Sequence, residues 1–192
     1  MPPSPDTTSS LGYAILGLLQ HQPASGYDLR KTFSSTSMKT YSDSPGAIYP
    51  ALRRLERQGF IRGTVDDGNG LRRRQVFRPT AKGTAEIKSW IASPVTREEL
   101  AWGQQSILLR FAFSEHIVGP DASLALLRSL KDNLEPHLRA LHGEFESSKD
   151  MMPLSGRLAF ECGIRGAESF LQWTNYAIST YQKREKQKGA RQ

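Results

Sequence analysis

Arg72, Arg73 and Arg74 follow closely on a turn-forming run, Asp66-Asp67-Gly68-Asn69-Gly70. Guanidinium groups in such a place do no covalent chemistry. They pair with anions, and beside a turn tip they suit the phosphates of a nucleic-acid backbone. A second group lies upstream, in Ser44-Pro45-Gly46-Ala47 followed by Tyr49, Arg53 and Arg54. A serine hydroxyl before proline marks a helix start. Gly46 and Ala47 then permit close approach of the first turn, while Tyr49, Arg53 and Arg54 supply hydrogen bonds or charge. Plainer readings stand beside these: a solvated basic run for 72–74, and half-buried packing for Tyr49.

Other chemistry finds little footing. The chain has no G-x-S-x-G elbow, no phosphate-cradling glycine loop and no H-E-x-x-H, and His137 and His142 are five apart rather than one helical turn. We therefore expect no enzyme, no metal and no cofactor. The single Cys162 has no disulfide partner, and a buried structural thiol is the expectation. No window is apolar enough to span a membrane, and the start, MPPSPDTTSS, lacks a basic end followed by an apolar core, so a soluble, cytoplasmic protein is expected.

The net charge of +7 is unevenly placed: residues 1–96 hold 13 basic and 7 acidic side chains, 97–182 hold 8 and 11, and 183–192 hold 5 and 1. A basic first half suggests a polyanion partner. A protein or membrane-surface module remains the alternative, given the basic tail and amphipathic helices; binding to duplex DNA against anionic vesicles discriminates the two. RNA fits less well, because no aromatic platform is evident.

The elements that must position these residues can be read in order. Residues 1–10, rich in Pro, Ser and Thr, should form a disordered arm. Leu11, Ala14, Ile15, Leu18 and Leu19 predict a helix ended by His21-Gln22-Pro23, and the S-x-x-D pair Ser25/Asp28 starts a second. The third helix runs from Ser44-Pro45 to Gly59, with Ile48, Leu52 and Leu55 as its core face. Phe60–Val65 and Gln75–Arg78 read as a two-stranded hairpin, and Pro79-Thr80 opens a fourth helix with Ile87, Trp90 and Ile91 as its stripe. Three helices and a basic hairpin give the winged helix-turn-helix order, with the third helix suited to the major groove.

After Ser93-Pro94, Thr96 and Glu99 form a second capping box, starting a helical region with Ile107, Leu108 and Phe111. Gly119-Pro120 interrupts it. Leu127, Leu134 and Leu141 repeat every seven residues, with Leu130, Leu138 and Phe145 beside them, in a long amphipathic helix that is either intramolecular core or a dimer seam. Beyond Met152-Pro153, a last helix carries Ala159, Cys162, Gly166, Phe170, Trp173, Ala177 and Tyr181 on one face, before a frayed basic tail at 183–192. Aromatic residues including Trp90, Trp102 and Phe111 either line an effector pocket or are plain core.

Three segments, SGYDLRK at 25–31, SPGAIYPALRRLERQGFI at 44–61 and RRRQVFRPTAKG at 72–83, resemble the PadR family of transcriptional regulators. Pro79 departs from the leucine usual before Thr80. More weakly, QQSILLRFAF at 104–113 and RLAFECGIRGAESFLQW at 157–173 are similar to the long-tailed branch of that family. The resemblance implies a mainly α protein, with a DNA-binding winged helix over 11–95 and a helical dimerisation domain over 96–182. It implies a homodimer on a palindromic double-stranded operator, repression as the usual mode, and a possible small-molecule effector. Tyr27 and Lys31 join the expected DNA contacts. Leu127, Leu134, Leu141, Phe170 and Trp173 are the expected dimer contacts.

Overall fold

A computed structural model describes residues 8–42, 44–66 and 74–189. The first seven residues of the expected arm, the turn at 67–70, Arg72, Arg73 and the last three residues of the tail lie outside that set. The chain forms two compact units, Met1–Trp90 and Ile91–Gln192, built of helices and one small antiparallel sheet.

In the first unit, α1 (Ser10–His21), α2 (Gly26–Ser35) and α3 (Pro45–Arg57) pack with the hairpin β2 (Ile61–Asp66) and β3 (Arg74–Pro79), and α4 (Ala81–Ala92) follows. The start is more ordered than its composition suggested: Ser9 caps α1 by accepting from the Gly12 N–H, and Thr8 is buried. Ile15, Leu16, Leu29, Phe33, Ile48, Leu52, Leu55, Ile61 and Ile87 are the core, each worth about 1.5–3 kcal/mol of burial. The sheet has three strands rather than two, because β1 (Ala24–Ser25) pairs with Phe77 and Val76 of β3.

Local capping chemistry places the helices. Ser25 accepts from the Asp28 N–H while Asp28 accepts from the Ser25 N–H and hydroxyl. The Ser25 hydroxyl and N–H hold the Asp28 carboxyl below its ordinary range, with Arg74 and Lys31 adding to the effect. Gly59, at φ +73°, ends α3 in the left-handed region. At the join to α4, the Thr80 hydroxyl donates to the Gly59 carbonyl and accepts from the Gly83 N–H. A Cβ on Gly83 would overlap the Phe60 carbonyl, so only glycine lets this helix lie against the foot of the hairpin.

The second unit contains α5 (Arg97–Trp102), α6 (Gln104–Val118), α7 (Pro120–Ser148) and α8 (Leu154–Gly189). Thr96 and Glu99 complete the second capping box. Leu126, Leu130, Leu134, Leu138, Ile107, Ile164 and Phe170 form one core cluster. Arg110 is also buried, donating to Glu99 (3.0 and 3.2 Å) and to the carbonyls of Ile91 and Ser93.

Two expectations fail in α8. Cys162 is exposed rather than buried, as are Ala159 and Gly166. Ile164, Ala167, Phe170, Thr174 and Ala177 form the buried stripe instead. The apolar pattern passed over Thr174, whose hydroxyl is satisfied by donating to the Phe170 carbonyl at 2.8 Å. The supposedly frayed tail is also helical as far as Gly189.

Candidate nucleic-acid interface

The outward face of α3 begins where Ser44 accepts from the Gly46 N–H at 3.2 Å, with Pro45 in the first turn. Ser44 and Gly46 are exposed and Ala47 is half-buried. Among the described residues, a Cβ on Gly46 would meet nothing but the Ser44 hydroxyl at 3.4 Å. Pro50 lies inside the helix and has no N–H, so the Gly46 carbonyl four residues earlier lacks its helical partner. The first turn thus presents small residues and an open backbone acceptor.

Tyr49 serves two purposes. One edge of its ring abuts Gly26, where a Cβ would come within 2.6 Å, yet the residue remains 43% exposed. Packing fixes the ring while leaving surface for contact. Further along, Arg53, Arg54 and Arg57 are exposed around a shallow groove of about 430 Å³ that Pro50 and Glu56 complete. None of these arginines has a carboxylate partner among the described residues. Arg57 was not singled out by sequence reasoning, although it lies one turn beyond Arg53.

On α2, Tyr27 is exposed with the Arg30 guanidinium 5.7 Å from its ring centre, and Lys31 is exposed. Arg74 opens β3 and lies 3.9 Å from the Asp28 carboxylate. That leaves it less free to meet an external anion than its place in the run implied. Arg72 and Arg73 are outside the described residues.

The remaining candidates separate. Trp90 stacks flat on Tyr13 at 4.1 Å, and Tyr13 donates to Glu86 at 2.8 Å. Phe111 meets Trp173 edge-on at 5.4 Å. Each ring is therefore partnered inside its own unit. Trp102 closes α5, and its side chain is outside the described set. A groove of about 350 Å³ in the second unit is lined by Leu100, Gln104, His137, Leu141, Phe160 and Ile164 among others, and among the described side chains neither Trp90 nor Phe111 lines it. Leu127 and Leu134, expected at a dimer seam, are each 1% exposed within the single chain; they are spent on its own core. Leu141 and Trp173 are half-buried, and Phe170 is nearly covered.

Comparison with known proteins adds the following. Residues 15–89 match the Transcriptional regulator PadR-like family. A probable transcriptional regulator of Mycobacterium tuberculosis is 24% identical over 187 residues, covering 91% of this chain and 99% of that protein. The negative transcriptional regulator PadR of Bacillus subtilis is 35% identical over 82 residues, 42% of this chain and 44% of that one. The crystal structure of Bacillus subtilis PadR in complex with operator DNA is 20% identical with a TM-score of 0.42, covering 90% of this chain and 99% of that chain. These relatives are regulators of transcription, not enzymes. Among the described residues, no helix is long and apolar enough to cross a membrane.

Proposed function

We propose that this chain, whose residues 15–89 match the PadR-like family of transcriptional regulators, is a sequence-specific DNA-binding repressor acting as a homodimer on an inverted-repeat operator. The observation that carries this reading is the outward face of α3. Its first turn is capped, small and open at Gly46, and three arginines without carboxylate partners among the described residues follow it. A helix so built can place its N-terminal turn at base edges while the arginines meet phosphates. The wing residues Arg72 and Arg73 are proposed to reach adjacent backbone.

The homodimer is supported by α8, where Leu154 and Leu158, one turn apart, are 63% and 54% exposed, after Met151 at 81%. Exposed leucines at helical spacing mark an interaction face, and a two-fold pair of such faces closes on itself. Leu141 and Trp173 remain as flanking contacts; Leu127 and Leu134 do not. Sequencing DNA fragments that co-purify with the full chain should return an inverted repeat with half-sites about 34–36 Å apart, one helical turn. Recovery of unrepeated sites, or of DNA without a common sequence, would reject this assignment.

An effector is the last part of the proposal. The groove between Leu100, His137, Leu141 and Phe160 suits a small, mostly apolar molecule, with Gln104 and His137 as its polar contacts. A ligand there can release DNA only if DNA weakens the ligand's binding by the same factor. Tryptophan fluorescence titrations of an effector, with and without operator, should therefore give different affinities, and equal values would exclude coupling.

A further inference from the structure

The register of the hairpin sets Arg62 directly opposite Arg78. Side chains so placed leave Cβ atoms about 4.5–5.5 Å apart, and like charges there repel. A sheet ordinarily answers such a pair with a carboxylate. Here none is supplied by the described residues: Glu56 accepts from the Gly63 N–H, and Asp28 lies by Arg74. Both arginines are exposed, and both line a groove of about 350 Å³ with Thr64, Pro79, Thr80 and Ala81.

The groove also touches the start of α4. Ala81 is the first residue of that 12-residue helix, and its first turn holds no acidic side chain to meet the helix dipole. Lys82 is turned elsewhere, donating to the Gln58 carbonyl at 2.8 Å. The Thr80 hydroxyl is likewise committed to the Gly59 and Phe60 carbonyls. What faces the groove is therefore two guanidinium forks and the positive end of a helix.

We propose that this foot of the wing is a binding site for a phosphate group, held between Arg62 and Arg78 with the N-terminal turn of α4 behind it. A free or terminal phosphate dianion matches two guanidiniums in charge and offers an oxygen pair to each fork, while a backbone phosphodiester, a monoanion, can accept from both forks through its two non-bridging oxygens. Asp66, where β2 ends, is four residues beyond Arg62, so the site lies about 13 Å along the strand from that end, at a rise of roughly 3.3 Å per residue. The proposal does not depend on the contacts proposed for Arg72 and Arg73. The phosphate is either that of a DNA backbone running past the wing or that of a free phosphorylated molecule.

The experiment uses the full chain, labelled with ¹⁵N and titrated with inorganic phosphate at constant ionic strength. Saturable shifts of the Ala81 and Lys82 amides are expected, retained in R53Q/R54Q and weakened about tenfold or more in R62Q/R78Q. A circular dichroism melt of R62Q/R78Q should fall at or above that of the parent, since removing the charge pair relieves repulsion. A salt series on a random-sequence duplex separates the sources. A slope of log affinity against log salt shallower by about 1 per protomer in R62Q/R78Q, one backbone phosphate no longer neutralised, assigns the phosphate to DNA; an unchanged slope, with phosphate shifts present, assigns it to a free molecule. Absence of saturable shifts, or their persistence in R62Q/R78Q, overturns the site.

Discussion

Replacing Arg110 by alanine is expected to destabilise the second unit by up to about 3–5 kcal/mol, the range for removing one partner of a buried ion pair, reduced here because the Glu99 side chain keeps 24% of its surface in water. Arg110 is fully buried, and its guanidinium holds four acceptors: both oxygens of Glu99 and the carbonyls of Ile91 and Ser93. Those carbonyls belong to the last turn of α4 and the residue just beyond it, where helical partners run out. Glu99 also accepts from the Thr96 N–H, so the same carboxylate starts α5. Alanine would take the guanidinium away from a partly exposed carboxylate and two carbonyls and open a cavity besides. Arg110→Lys, with one point charge in place of a planar fork, should recover only part of the loss. Exchanging both partners, as in Glu99→Gln with Arg110→Met, should cost less than Arg110→Ala alone, because no lone carboxylate remains. Urea unfolding followed by circular dichroism measures all three. A loss below about 1 kcal/mol for Arg110→Ala would show that water enters and replaces the guanidinium at little cost.

Arg110 also shows where a linear reading stops. Within QQSILLRFAF it is one charge in an apolar helical run, a pattern that fits a solvated position as well as a buried one. Its partner Glu99 is eleven residues away across the break at Gly103, and no helical spacing connects them. By contrast, Ser25 with Asp28, Ser44 with Pro45, and Thr96 with Glu99 were legible because a helix start is marked by residues no more than three apart. The short strand Ala24–Ser25 was not, since its existence depends on Phe77 and Val76 arriving beside it. Two strand residues carry no periodicity of their own.

The same divide runs through the candidate site. Small residues after a capped start pointed to the first turn of α3, and the PadR resemblance sharpened that reading to particular positions. Arg62 and Arg78 went unremarked because nothing but strand register makes them neighbours. The heptad of Leu127 and Leu134 was real, but a heptad does not say whether its partner helix lies in the same chain; α7 uses it internally. In α8 the expected face mixed two surfaces. Phe170 and Ala177 belong to the buried one, while Ala159, Cys162 and Gly166 lie on the exposed one. The expected positions, from 159 to 181, advance by about 3.7 residues a step, close to the helical 3.6, so they form a true face, but one set to the side of the stripe that Ile164, Ala167 and Thr174 bury.

Gly46→Leu is expected to cost about 2–6 kcal/mol of operator affinity, roughly thirtyfold or more, taking about 1–3 kcal/mol for each half-site's lost base contact and counting it twice in a homodimer. The substitution is informative because the fold has no objection to it. Among the described residues a Cβ at Gly46 meets just the Ser44 hydroxyl at ordinary distance, and leucine is the better helix former, so the melting curve should not fall. Gly26 and Gly83 would not serve, because side chains there strike Tyr49 and the Phe60 carbonyl. Leucine instead fills the space through which the first turn would approach base edges. Affinity for random DNA, carried by phosphate contacts, should change little. Arg53→Gln should show the opposite signature: weaker binding to operator and random duplex alike, with the slope of log affinity against log salt shallower by about 1 per protomer. Tyr49→Phe, which removes only a hydroxyl, should leave that slope in place. A salt series on both duplexes for the three variants gives the comparison. If Gly46→Leu binds operator as the parent does while Arg53→Gln leaves every slope unchanged, α3 is not the reading helix, and the DNA-binding face must be sought elsewhere on the first unit.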